Sequence, residues 1–108
     1  MKQTVWTVPA KVVRVVDGDT LILDLDQGWR QWRIGERCRL SGINAPEAGT
    51  PEGVLARAFV EHVIGMKSDV TFVSRALDKY GRPLGVVRLS DGRILNDLIL
   101  SAGHAVPA

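Results

Sequence analysis

The sequence holds a single cysteine, Cys38, among its 108 residues. One thiol excludes an internal disulfide and any zinc or iron–sulfur site built from several cysteines. No apolar run approaches the roughly 20 residues that a membrane-crossing helix needs. The first residues, Met1-Lys2-Gln3-Thr4-Val5-Trp6, lack an apolar stretch long enough for the core of a secretory leader. Any leader is therefore absent or already removed, and an intracellular placement is the default expectation. Internal repeats, low-complexity tracts and linkers are missing too. Charge of one sign is also scarce: 14 basic against 12 acidic residues leave a net +2, which by itself identifies no nucleic-acid binder.

What is present suits a folded domain. The chain is 45% hydrophobic and 24% charged, an ordinary globular balance, and its length predicts one domain over residues 1–108. Ten of the basic residues are arginine and four are lysine, a bias that favours forked contacts to phosphate or carboxylate oxygens.

The hydrophobic pattern predicts mostly strands. Lys11 to Val16 is rich in β-branched residues and runs into the turn Asp17-Gly18-Asp19. Thr20 to Leu25 alternates, with Leu21, Leu23 and Leu25 on one face, and the intervening Asp-Gly marks a hairpin. Asp26 to Arg33 reads as a polar loop carrying Trp29 and Trp32, and Gly35 to Gly42 as a third strand. A helix follows, with Thr50 as N-cap, Pro51 at its first position and Gly65 as its stop. Its predicted apolar side is Leu55, Phe59, His62 and Met66, joined by Ala58 and Val63. Asp69 to Ser74 and Leu84 to Leu89 are the last two strands, separated by the turn-like Leu77 to Arg82. Leu95, Leu98, Ile99 and Ala102 face inward on a short closing helix stopped by Gly103. The fold class is therefore mainly β with helices: a five-stranded OB-fold barrel with one helix between strands three and four and a short C-terminal helix.

Chemistry concentrates at two corners. Asp17 and Asp19 flank Gly18 at the hairpin, and Asn44-Ala45-Pro46-Glu47 follows the third strand. If the second and third strands are neighbours, these corners converge into a pocket of oxygen donors, which selects a hard cation such as Ca²⁺ or Mg²⁺. Taken alone, Asp17-Gly18-Asp19 is an ordinary turn. Arg39 lies inside the third strand, and Arg82 closes the loop Asp78-Lys79-Tyr80-Gly81. A convergent pair of guanidinium groups clamps a phosphodiester and stabilises its developing charge, whereas singly each is a surface ion-pair partner.

Three segments, Val16-Asp17-Gly18-Asp19-Thr20, Arg39-Leu40-Ser41-Gly42-Ile43-Asn44-Ala45-Pro46-Glu47 and Asp78-Lys79-Tyr80-Gly81-Arg82, resemble the staphylococcal-nuclease-like (thermonuclease) family in order and spacing. The helix from Glu52 to Gly65 and the ending from Leu95 to Gly103 are similar to it as well, so the likeness spans about Val12 to Ala105. It implies a calcium-dependent endonuclease, with Mg²⁺ or Mn²⁺ as alternative ions, that cuts accessible or single-stranded DNA and RNA to leave 3′-phosphate and 5′-hydroxyl ends. Carried over, Asp19 is the main metal carboxylate, Asn44 a second ligand position and Ala45 a ligand through its backbone carbonyl. Glu47 positions or deprotonates the attacking water, and Arg39 and Arg82 bind the phosphate. Asp17, Thr20 and Tyr80 support the site.

Two features depart from that family. Its second metal position is typically aspartate, so Asn44 predicts weaker metal binding through the lost charge. Its barrel is usually followed by another helix, where this chain ends at Val106-Pro107-Ala108. That ending admits a minimal form, a trimmed chain or completion by another subunit, with monomer, oligomer and domain swap as the corresponding states. Secreted relatives of the family keep secretion open as a placement. The alternative function is a non-catalytic OB-type module that binds nucleic acid or protein. His62 is expected to be packed or half-buried on its helix, His104 to lie at the surface and Cys38 to be a core thiol. Trp29 and Trp32, interleaved with Arg30 and Arg33, either stack bases or cap the barrel core. The row Arg30, Arg33, Arg37 and Arg39 puts cations near the cleft.

Overall fold

The computed structural model describes residues 6–65 and 69–108. Five strands, β1 (Trp6–Asp17), β2 (Thr20–Asp26), β3 (Trp32–Leu40), β5 (Asp69–Leu77) and β6 (Pro83–Leu89), close a barrel in the order β1-β2-β3-β6-β5. Two two-residue strands, β4 (Ile43–Asn44) and β7 (Val106–Pro107), pair outside it. Helix α1 (Pro51–Ile64) precedes β5, and α2 (Leu95–Ser101) follows β6. No helix among the described residues is long and apolar enough to cross a membrane.

Alternation fills the barrel. Leu21, Leu23 and Leu25 of β2 face Cys38 and Leu40 of β3, with Phe72 and Val87 from the opposite wall, and all are buried. Each such side chain contributes about 1.5–3 kcal/mol by leaving water. The Cys38 thiol is a core group as expected, and burial, with the nearby Glu36 charge, pushes its pKa up to about 12.

Several boundaries differ from the sequence reading. β1 begins at Trp6 rather than Lys11, because its first half pairs with β5 from Trp6↔Ser74 to Lys11↔Asp69. Pro9 lies one residue before the pairing of β1 with β2 begins, an edge position where a missing N–H is tolerated. β3 starts at Trp32, inside the segment expected to be a loop, since Trp32 pairs with Asp26. It ends at Leu40, and Gly42 at φ 78 turns the chain into β4.

The largest correction concerns α1. Thr50 Oγ1 accepts from the Gly53 N–H at 3.0 Å and Pro51 opens the helix, as predicted, and Gly65 ends it. The buried face, however, is Gly53, Ala56, Val60 and Ile64, with Phe59 and Val63 half-buried. Leu55, Ala58 and His62 are exposed, and Met66 lies outside the described residues. Small residues set the phase here. A Cβ on Gly53 would stand 1.8 Å from the Glu47 carbonyl oxygen, so the helix is pressed backbone-close against the loop before it. On α2, Leu95 and Ile99 are buried as expected, but Ala102 is exposed.

Candidate active site

Asp17, Gly18 and Asp19 turn β1 into β2, and Gly18 is required for its small size. A Cβ there would lie 2.8 Å from Ala45 Cβ and 2.9 Å from Ala56 Cβ, so only glycine lets the corner touch both the loop after β4 and helix α1. The two predicted corners therefore meet. The Ala45 N–H donates to Asp19 Oδ2 at 2.8 Å, and the Leu40 N–H donates to the Asp19 carbonyl at 2.8 Å.

Asp19 is buried and well supplied with partners. Thr20 Oγ1 donates to its Oδ1 at 3.1 Å, and Arg39 Nη1 lies 2.9 Å from its Oδ2. Burial pushes the carboxyl up. A side-chain hydrogen bond shared with Asp17, the Ala45 N–H, the Arg39 charge and the Thr20 hydroxyl outweigh that and hold it below the ordinary range. Asp17 moves the opposite way, raised by burial, by a side-chain hydrogen bond with Asp19 and by the Asp19 charge. The corner thus sets a carboxylate held low, partly by positive charge, beside a neighbour pushed up by burial and by that carboxylate.

Arg39 supplies part of that charge. β3 carries it on the outer face, opposite Thr20 in the β2 register. Its Nη2 donates to Asn44 Oδ1 at 2.5 Å and to the Ile43 carbonyl at 3.2 Å, so one guanidinium touches two of the predicted site positions, Asn44 and Asp19. Nη1, close to Asp19, is buried and makes no aligned hydrogen bond among the described residues.

Arg82 reaches the same place from the loop that leads into the neighbouring strand β6. β3 and β6 run parallel with Arg39 opposite Leu84, two residues beyond Arg82. Arg39 and Arg82 line one cleft of about 550 Å³, with Ile43, Asp78, Lys79 and Tyr80. Asp78 fixes Arg82, accepting its Nε at 2.6 Å and the N–H groups of Arg82 and Tyr80, both at 2.9 Å. Desolvation pushes the Asp78 carboxyl up, and those backbone and guanidinium donors outweigh it and hold it low. The exposed Tyr80 ring lies 5.3 Å from the Arg82 guanidinium carbon, a cation–π contact that keeps the head over the cleft.

Glu47 sits three residues beyond Asn44, exposed, and forms no ion pair among the described residues. Its backbone is firmly held: the Glu47 carbonyl accepts Thr50 Oγ1 at 2.7 Å and the Thr50 N–H at 3.0 Å. The helix N-cap and the Glu47 loop are therefore one structure. The described residues contain no group of three His, Cys, Asp or Glu side chains disposed as a metal site. Asp19, the Asn44 amide oxygen and the Ala45 carbonyl are hard oxygen donors of the kind a divalent cation takes, and Arg39 now occupies the Asp19 and Asn44 oxygens.

Two supporting residues escaped the sequence reading. Asp78, anchor of Arg82, was signalled by its spacing of four residues from an arginine within a tight turn. Asn96, buried on α2, donates through Nδ2 to Ser41 O at 2.9 Å and Gly85 O at 3.3 Å, and accepts the Val87 N–H at 3.2 Å. A lone amide among Leu95, Leu98 and Ile99 was its signal. Asn96 ties α2 to the end of β3, which carries Arg39, and to β6, which Arg82 immediately precedes.

The tryptophans do not cap the barrel: Trp29 is 96% exposed and Trp32 42%. In the arginine row, Arg33 pairs with Glu36 at the barrel mouth, apart from Arg37 and Arg39 on the outer face. His62 is exposed, and His104 is half-buried with its ring 4.8 Å from that of Phe59. Neither histidine belongs to the site.

Comparison with known proteins agrees with this geometry. A family model described as "Staphylococcal nuclease homologue" matches residues 37–108. The chain is 36% identical over 97 residues to an "Uncharacterized endonuclease" of Escherichia coli, covering 88% of this chain and 58% of that protein. It is 36% identical over 77 residues to a "Micrococcal nuclease" of Shigella flexneri, covering 71% of this chain and 40% of that one. A "Thermonuclease" of Staphylococcus intermedius is 36% identical over 87 residues, covering 74% and 48%. The chain spans about half the length of the curated relatives it matches.

Proposed function

Because this chain belongs to the staphylococcal nuclease family, we propose that it is a metal-dependent endonuclease hydrolysing phosphodiester bonds of DNA and RNA, leaving 3′-phosphate and 5′-hydroxyl ends. The observation that carries the reading is the cleft shared by Arg39 and Arg82, one of which is fastened directly to Asp19 and Asn44. A phosphodiester is anionic and repels a hydroxide nucleophile, so its hydrolysis needs concentrated positive charge beside a positioned water.

In this reading Asp19, the Asn44 amide oxygen and the Ala45 carbonyl hold a divalent cation, Ca²⁺ by resemblance, with Asp17 and Thr20 supporting Asp19. The bound cation would polarise the phosphoryl oxygen. Arg39 and Arg82 take the non-bridging oxygens from the cleft they share. Their charge grows in value as the fifth oxygen adds negative charge in the transition state. Glu47 orients or deprotonates the attacking water from its fixed loop. Tyr80 and Lys79 flank the strand at the cleft's outer wall.

Cleavage of a labelled oligonucleotide in Ca²⁺, Mg²⁺, Mn²⁺ and EDTA tests the proposal, with Glu47→Ser beside the wild type. The expected result is metal-dependent product that falls at least a hundredfold in the variant without loss of folding. Binding that survives EDTA, with no cleavage in any metal, would instead establish the non-catalytic module.

A further inference from the structure

The tip of the β2–β3 hairpin is built at a cost. Gly28 to Gln31 closes it, with the Gln31 N–H donating to Gly28 O at 2.9 Å and the Gln27 N–H to Gln31 O at 2.9 Å. The two central residues, Trp29 and Arg30, stand at φ 57 and 61, left-handed backbone that a two-residue hairpin turn normally fills with Asn-Gly. Placing bulky side chains there is unfavourable for folding, and it yields nothing to the core, because Trp29 is 96% exposed. Local strain held at a solvent-facing aromatic residue points to a ligand.

The outer face of the sheet leads from that tip to the candidate active site. Strand register puts Lys11 opposite Asp24, Arg14 and Arg37 on either side of Ile22, and Trp32 opposite Asp26. Trp32, Arg37 and Arg39 therefore follow one another along β3 on one face, with Lys11 and Arg14 on the same face of β1, across β2. The two β2 carboxylates on this face are engaged, Asp24 Oδ1 accepting the Gly35 N–H at 2.8 Å and Asp26 Oδ1 the Gly28 N–H at 2.9 Å, and Asp69 of β5 stands opposite Lys11. Lys11 Nζ lies 6.0 Å from the Trp32 ring. From Arg39 to Trp32 the path is at most about 23 Å at ~3.3 Å per strand residue, a length suited to the ~4–16 nucleotides that one such barrel engages.

We infer that this face is a second binding site, in which single-stranded nucleic acid runs from the Arg39 cleft along Lys11, Arg14 and Arg37 and stacks bases on Trp32 and Trp29. The cations meet the backbone phosphates, and the indoles meet bases whose faces are free only when unpaired. The direction of the strand rests on the nuclease reading, but the binding itself does not require cleavage.

Fluorescence anisotropy of labelled dT10 and of a labelled thymidine dinucleotide, measured in EDTA, tests it on the full chain. Trp29→Ala and Trp32→Ala are each expected to weaken dT10 about tenfold and to leave the dinucleotide unchanged. Trp29→Phe should restore most of the affinity. The double replacement Trp29→Asn with Arg30→Gly should raise the melting temperature while still losing affinity, since it relieves the turn and removes the ring. Unaltered dT10 affinity in both alanine variants, or no measurable dT10 binding by the wild type, overturns the inference. Tryptophan-dependent binding without cleavage in any metal would sink the nuclease reading and leave this one standing; cleavage with dT10 affinity indifferent to both rings would do the reverse.

Discussion

Replacing Asn44 by aspartate adds one negative charge at a position whose surroundings are known. Asn44 is exposed, its Oδ1 already accepts Arg39 Nη2 at 2.5 Å, and the buried Asp19 carboxylate lies on the other side of the same guanidinium. At such an exposed site the water limit applies: one unit charge about 4 Å from another contributes ~1 kcal/mol, hence ~2 kcal/mol toward a divalent cation. The same charge strengthens the Arg39 clamp on that oxygen by ~1 kcal/mol, because a charged acceptor binds a donor more firmly than a neutral one. The clamp and the cation compete for the oxygen. The net gain is ~1–2 kcal/mol, or a Ca²⁺ dissociation constant about 5- to 30-fold lower. Titration calorimetry of wild type and Asn44→Asp at low salt reads this directly. Equal or weaker binding in the variant would refute the donor assignment, since a ligand position cannot be indifferent to a full charge.

Three other outcomes follow from the same contacts. Gly18→Ala forces a methyl against Ala45 and Ala56, side chains with no rotamer to yield, and should cost about 1–3 kcal/mol in urea unfolding while weakening divalent-cation binding. Asn96→Leu leaves Ser41 O and the Val87 N–H without their side-chain partner, at about 1–3 kcal/mol for each group left unsatisfied, and should lower both stability and activity by loosening the mounting of Arg39 and Arg82. The Cys38 thiol, with an ordinary value of 9.0 raised to about 12, contributes stability that is complete below 9.0 and lost as pH rises toward 12. Thiol-reagent labelling of the native protein should therefore stay negligible at pH 8, and Cys38→Ala should flatten the alkaline fall in stability.

The barrel was legible because alternation in β2 and at the end of β3 is strong, and because Asp-Gly and Thr-Pro mark a turn and a cap by local chemistry. The convergence of Asp19 with Ala45 was legible for the same reason: a hairpin corner and the end of the adjacent strand must lie side by side. The phase of α1 was not. Sequence periodicity weights large apolar residues such as Leu55, whereas the observed face is selected by the close approach that Gly53 and Ala56 permit. Pairs such as β4 with β7 carry two residues each, too few for any period to register. The anchors Asp78 and Asn96 act through long-range or turn-specific hydrogen bonds that no residue spacing encodes by itself.

The central claim is that Arg39 and Arg82 grip one phosphate, and a double-mutant cycle on cleavage measures it most directly. Arg39→Lys and Arg82→Lys each keep the charge and lose the fork, and each should lower kcat about 10²- to 10³-fold, as removal of one transition-state donor does. Made together, they should cost less than the product of the two, because groups acting on a single transition state are not independent. Cleavage unchanged by either substitution, or two losses that multiply in full, would contradict a shared phosphate.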